Sequence, residues 1–200
     1  MASQADSVLT LFEAAGAYLK GHFRLTSGLH GAEYLQSALV LRHPRHAELL
    51  GGDLATSLKA LTSPSEIGLV VAPALGGLII GHEVARALNT PFLFTERDAS
   101  GRMTLRRGFT VDPGATAVVV EDVITTGGST REVIEILTNL GISVLAAGCI
   151  VDRSGGTAAL GFPRTALLTL NVVSYPPETC PMCRVGIPVS KPGSRNVLAG

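Results

Sequence analysis

Residues Thr116 to Thr130, TAVVVEDVITTGGST, run from an unbroken apolar stretch through two adjacent carboxylates into a loop of Thr, Gly and Ser. β-Branched residues without alternation suit a strand covered on both faces, so Thr116 to Glu121 predicts a central strand of a parallel sheet. In such sheets ligands sit beyond the carboxyl ends of the strands. The loop Thr125, Thr126, Gly127, Gly128, Ser129 and Thr130 opens a helix expected over Ser129 to Leu140, and a helix start offers unpaired amides and partial positive charge to a phosphate. Glu121 and Asp122 suit the opposite kind of partner, vicinal sugar hydroxyls or a magnesium ion. The combination implies a ribose phosphate ligand. The spacing is neither that of G-x-x-x-x-G-K-[ST] nor that of G-x-G-x-x-G.

The remainder of the chain repeats strand and helix in turn, the pattern of an α/β fold with a mostly parallel central sheet flanked by helices. Asp6 or Ser7 caps a first helix running to about Lys20, and Pro44 to Leu61 reads as a second. Strands are expected at Ile67 to Ala72, Pro91 to Thr95, Thr116 to Glu121, Ser143 to Val151 and Ala166 to Val172, with another helix near Leu78 to Leu88. The 200 residues, 46% of them hydrophobic, fit one domain with a substantial core. No repeat or long linker divides it. Sixteen basic residues balance sixteen acidic ones, so the chain lacks the broad positive field of a non-specific nucleic-acid binder. The longest apolar stretch, Ile67 to Gly81, is broken by Pro73 and too short to span a bilayer. MASQADSVLT does not read as a secretory signal, and a cytoplasmic location is expected.

Two further segments carry chemistry. VAPALGGLIIG, Val71 to Gly81, again ends an apolar strand in small residues, Ala74, Gly76 and Gly77, before a helix. TERDASGRMTLRRGF, Thr95 to Phe109, holds Arg97, Arg102, Arg106 and Arg107, and its simplest reading is a solvated charged hairpin.

The segment Val118 to Thr130 resembles, over all 13 positions, the signature of the type I phosphoribosyltransferases. That resemblance implies a Rossmann-like fold with a small hood, built from about residues 1–42 and a C-terminal segment, over a core at about 65–175. It also implies that Glu121, Asp122, Val123, Ile124, Thr125, Thr126, Gly127, Gly128 and Ser129 bind 5-phosphoribosyl 1-pyrophosphate (PRPP), the loop around the 5′-phosphate and the acidic pair at the ribose. Ala74, Leu75 and Gly76 correspond to the loop that holds the pyrophosphate. The charged segment corresponds to a mobile loop that closes over the site, often that of a partner subunit, with Arg97 and then Arg102 as its catalytic cations. Asp122 is the third expected catalytic residue and the metal contact, with Mg2+ held mostly by substrate or water. Neighbours on a strand face opposite ways, so Glu121 and Asp122 are expected to differ in role.

GHFRLTSGLHGAEYLQSALVL, Gly21 to Leu41, resembles the segment that the orotate branch of that family places over the base, through Ser27, Gly28, Tyr34 and Leu35. Tyr34 and Leu35, with Thr125 and with Arg153 after Val151 and Asp152, are the expected orotate contacts; an arginine fork suits a carboxylate. Five positions in three segments depart from the branch. Thr26 replaces a lysine, Leu75-Gly76 an aromatic-lysine pair, and Glu96-Arg97 an Arg-Lys pair. The expected substrates are PRPP and orotate and the expected assembly a homodimer, with neither nucleic acid nor membrane as partner. Transfer to another base such as adenine, or nucleotide binding by a non-catalytic regulator of this fold, are the alternatives.

Cys149 reads as a buried small hydrophobe. Cys180 and Cys183 form C-x-x-C, half of a zinc knuckle without a second pair in the chain, so free thiols are expected unless two tails meet across a dimer axis. No histidine spacing suggests a ligand set. His22 and His30 read as solvent-exposed polar positions or as substrate contacts through the hood. The tail KPGSRNVLAG reads as a flexible terminus.

Overall fold

The Thr116 strand lies in the middle of the molecule, as its uniform apolarity requires. The computed structural model of the chain describes residues 4–25, 28–62 and 66–191. Thr26 and Ser27 and the tail from residue 192 therefore lie outside the described residues.

Helix α1, Gln4–Ala14, leads into strands β1, Tyr18–Arg24, and β2, His30–Leu35. Helices α2, Ser37–Leu41, and α3, Pro44–Leu61, come next. The expectation that the first helix reaches Lys20 is corrected here. Gly16 adopts a left-handed φ of 63°, and the amides of Gly16 and Ala17 return to the carbonyls of Glu13 and Phe12. That pair of bonds is a Schellman stop, and Phe12 and Ala17, the residues it joins, are both buried in the same core.

The main sheet is formed by β3, Leu69–Pro73; β4, Phe92–Arg97; β5, Met103–Leu105; β6, Thr116–Ile124; β7, Ser143–Asp152; and β8, Arg164–Thr169. Its order is β5-β4-β3-β6-β7-β8, parallel except for the edge strand β5. Helices α4, Gly77–Leu88, and α5, Gly128–Asn139, connect strands on opposite faces. Val118 and Val120 of β6 join α3 and α4 in one core, whereas Ala117 and Val119 join α5 in the other. Both faces are thus dry, which is why β6 needs no polar alternation.

From β3 the chain adds β4 on one side; from β6 it adds β7 and β8 on the other. The order therefore reverses between β3 and β6, and a crevice opens beyond their carboxyl ends. A second sheet, β1-β2-β9, stands beside it, with β9, Ser174–Tyr175, pairing His30 and Gly31 of β2. After β9 come a 3-10 turn, Pro177–Thr179, and the short helix α6, Pro181–Arg184. No helix among the described residues is long and apolar enough to cross a membrane.

Candidate active site

Both loops singled out in the sequence end at the β3/β6 crevice. After β6, Gly127 adopts a left-handed φ of 75° and starts α5. A Cβ there would come within 2.6 Å of Leu160 Cδ2, so a side chain would be strained by the backbone conformation and would have to push Leu160 aside. The first helical bond, from the Arg131 amide to the Gly127 carbonyl at 2.9 Å, leaves the preceding amides facing out of the helix start. Thr125 and Thr126 are exposed beside them. Arg131, which no sequence motif marks, braces this loop from behind by donating to the carbonyls of Thr126 (2.9 Å) and Ala159 (3.1 Å). Ile124 is buried in one core, which leaves only its backbone to a ligand, and Val123, half-buried, packs against the other.

The two carboxylates part company, as strand alternation demands. Glu121 accepts a hydrogen bond from Thr130 of α5, and Asp122 accepts one from Ser37 at the start of α2. Burial pushes the Glu121 carboxyl up to about 7; the Thr130 hydroxyl opposes the shift and the neighbouring Asp122 charge adds to it. Ser37, which no sequence signal marks, and Thr130, the last residue of the loop motif, are both buried and hold the two carboxylates.

After β3, the peptide between Ala74 and Leu75 is cis. The Ala74 amide donates to the Thr95 carbonyl (2.8 Å), so an anion in this loop would have to draw on the amides beyond Ala74. Gly76 closes on Asp122: a Cβ there would stand 2.5 Å from Asp122 Oδ1. The pyrophosphate-loop candidate and the ribose candidate are therefore one surface. Leu75 is 83% exposed.

A cleft of about 330 Å³ adjoins the loop after β6, lined in part by Tyr34, Thr125, Thr126, Arg153, Ser154 and Asn171. It unites three of the four expected base contacts. Tyr34 is supported by Phe23, with ring centroids 5.9 Å apart. Arg153 is half-buried, and its Nε is buried with no acceptor among the described residues, while another guanidinium nitrogen reaches the Glu33 carbonyl at 3.4 Å. Desolvation accordingly lowers its pKa. Leu35 is corrected to a core position: it projects from the other face of β2 and is only 4% exposed. A larger concavity, lined by residues from Arg131 to Asn139 and by Leu160 and Phe162, runs along α5 away from the strand ends.

The arginines of the charged segment sit on a β4–β5 hairpin. Arg97 forms a two-pronged pair with Glu132 of α5 (2.9 and 3.0 Å) and donates to the Gly101 carbonyl. Arg102 is held by Asp98, and Arg107 by Glu96. The expected solvent exposure of His22 and His30 is also corrected. They are 3% and 6% exposed, buried against the C-terminal segment.

The chain matches the phosphoribosyl transferase domain model over residues 52–174. It is 53% identical over 192 residues to the orotate phosphoribosyltransferase of Pelotomaculum thermopropionicum, covering 96% of this chain and 98% of that protein. To the protein of the same name from Heliobacterium modesticaldum it is 50% identical, covering 95% and 98%. The chain belongs to the orotate phosphoribosyltransferase family. Among solved structures, orotate phosphoribosyltransferase from Aeropyrum pernix superposes with a TM-score of 0.69 at 26% identity, covering 82% of this chain and 93% of that one. Adenine phosphoribosyltransferase from Saccharomyces cerevisiae superposes nearly as well, at 0.66 with 19% identity over 81% and 99%. The overall fold is therefore shared with a protein named for another base.

Proposed function

We propose that the protein transfers the phosphoribosyl group of PRPP to orotate, giving orotidine 5′-monophosphate and pyrophosphate, a step of pyrimidine biosynthesis. The observation that carries this reading is the convergence of Tyr34, Thr125 and Arg153 on one cleft beside the phosphate loop. The Arg153 guanidinium lines that cleft, its Nε has no acceptor among the described residues, and an arginine fork suits the orotate carboxylate, a group that adenine lacks.

On this reading the 5′-phosphate sits at the start of α5 under the amides from Thr126 to Ser129, held by the helix end rather than by a lysine. Asp122, steadied by Ser37, and Glu121, steadied by Thr130, accept from the ribose hydroxyls. Gly76 and the neighbouring backbone of Leu75 face the pyrophosphate. Tyr34 covers the base ring and Arg153 fixes its carboxylate, which aims the ring nitrogen at C1′. The nitrogen–C1′ bond forms as the C1′–oxygen bond to pyrophosphate breaks, and the leaving group takes the electron pair. Because orotate is already an anion, no general base is required; positioning and charge stabilisation lower the barrier.

Asp122 suits a hard cation, since its carboxylate borders the Gly76 loop, but its Oδ1 already accepts from the Val123 amide and its Oδ2 from Ser37, and one carboxylate satisfies little of an octahedral shell. Magnesium would therefore be held mainly by substrate oxygens, with Asp122 contributing directly or through water, and when bound it neutralises the leaving pyrophosphate. Arg97 and Arg102 are the proposed loop cations, acting after exchange from Glu132 and Asp98. The exposed apolar Leu75 and Ile79, at the start of α4, suit cover by a second subunit, so we take the active form to be a homodimer, placed in the cytoplasm.

The test mixes protein, magnesium and PRPP with orotate or adenine and monitors pyrophosphate release. Orotate-dependent release is expected. Turnover of adenine alone would overturn the orotate reading, and binding of nucleotide without turnover of any base would make the chain a regulator.

A further inference from the structure

Cys180 and Cys183, half of a metal knuckle in the sequence, meet their other half in space. Strand β1 brings His22 and strand β2 brings His30 to the same point, and one ligand atom from each of the four side chains lies within 4.8 Å of the others. Cys180 Sγ and Cys183 Sγ stand 3.6 and 3.7 Å from His22 Nε2, and Cys183 Sγ stands 3.3 Å from His30 Nδ1. A tetrahedral zinc ion, about 2.0 Å from nitrogen and about 2.3 Å from sulfur, sets nitrogen–sulfur separations near 3.5 Å. The two nitrogens are 2.8 Å apart and would have to separate by about 0.5 Å to reach the tetrahedral spacing.

The protonation pattern points the same way. His22 Nδ1 is 2.7 Å from the Ile187 carbonyl, which can only accept, so Nδ1 carries the proton and Nε2 turns a bare lone pair toward the two thiols. A backbone carbonyl holding the far nitrogen is the usual support of a ligating histidine. His22, His30 and Cys180 are buried; without an ion, His22 Nε2 accepts from His30 Nδ1–H at 2.8 Å and the two thiols are left with only weak contacts to the rings, at 3.3 to 3.7 Å. One soft cation partners all four.

We propose that His22, His30, Cys180 and Cys183 bind one zinc-class divalent ion per chain, closing the C-terminal segment onto the small sheet. Four protein ligands leave no open position, so the site is structural and takes no part in the transfer reaction. It reinforces links already present: the Ser190 amide donates to the His22 carbonyl and the Arg24 amide to the Ser190 carbonyl, each at 2.8 Å.

The experiment purifies the full chain from zinc-supplemented cells in reducing buffer, dialyses it and measures metal by mass spectrometry. About one zinc per chain is expected, falling to near zero in C180S/C183S and in H22Q. Cobalt(II) added to chelator-stripped, unsubstituted protein should produce thiolate-to-cobalt charge-transfer absorption and the intense visible bands of a tetrahedral site. Stripping should also lower Tm by about 5 °C or more, restored by zinc but not by magnesium. If the substituted chains fail to fold, the cobalt spectrum of the unsubstituted protein decides alone. A chain isolated without metal, whose Cys180 and Cys183 react as free thiols or pair as a disulfide and which gives no charge-transfer band with cobalt, would overturn the proposal. So would half an ion per chain, which would mean a site shared between subunits. None of these readouts requires turnover.

Discussion

At the scale of single residues, the adjacent acids Glu121 and Asp122 show how environment separates identical chemistry. Asp122 faces the Gly76 loop and Ser37, whereas Glu121 faces α5 and is desolvated enough to titrate at about 7. Asp122→Asn is expected to lower kcat/KM roughly 100-fold, because it removes charge at the reacting centre, and Glu121→Gln roughly tenfold. Equal losses would show that the two do not have separate roles. Between the ordinary value of 4.5 and about 7, the unfolded chain releases a proton from Glu121 that the folded chain keeps, so this residue makes stability fall as pH rises through that window. Glu121→Gln should therefore raise Tm more at pH 8 than at pH 5, and should remove an inflection near 7 from the kcat/KM profile for PRPP. Arg153→Ala should raise KM for orotate roughly 10- to 100-fold, the loss of a charge-assisted bond, with KM for PRPP little changed. A matching rise in both constants would place Arg153 outside the base site.

At the scale of elements, the strand-to-helix turns hold the candidate site, and three of their glycines, Gly76, Gly77 and Gly127, stand where a Cβ would come within 3.0 Å of a neighbour. Gly127 could be singled out from its loop alone, and its left-handed φ and contact with Leu160 supply the reason. Gly127→Ala is expected to lower Tm and weaken PRPP binding together. Gly76→Ala, at an exposed loop position, should leave Tm nearly unchanged while activity falls, because its methyl would displace Asp122. Calorimetry beside initial-rate assays checks the pair. The Pro44–Leu61 helix is readable to the residue, since proline fixes its first turn. The first helix reads too long in sequence because apolar periodicity continues past Gly16 into β1, and only the left-handed turn there separates the two elements.

At the scale of the whole molecule, the switch between β3 and β6 decides what the motifs become: two loops distant in sequence form one crevice. If the hairpin arginines serve a partner's crevice, mixing Arg97→Ala with Asp122→Asn, each nearly inactive, should restore activity toward about a quarter of sites, the fraction expected for random exchange in a two-subunit assembly. No recovery after subunit exchange would place Arg97 in its own subunit's site or in none. The sequence alone determined the central strand, the Thr/Gly-rich turn into α5 and the acidic pair, because these depend on local chemistry: β-branched apolarity, unhindered amides and carboxylates at a strand end. It also carried the resemblance that pointed to Tyr34 and Arg153. What the tertiary structure decided were the relations that no spacing encodes. Ser37 meets Asp122, Thr130 meets Glu121, Arg131 braces the loop, Leu35 turns away from the cleft, and two histidines complete the set begun by Cys180 and Cys183. Each is a contact between segments whose separation along the chain is unrelated to their separation in space, so it exists only once the two sheets and their helices have packed.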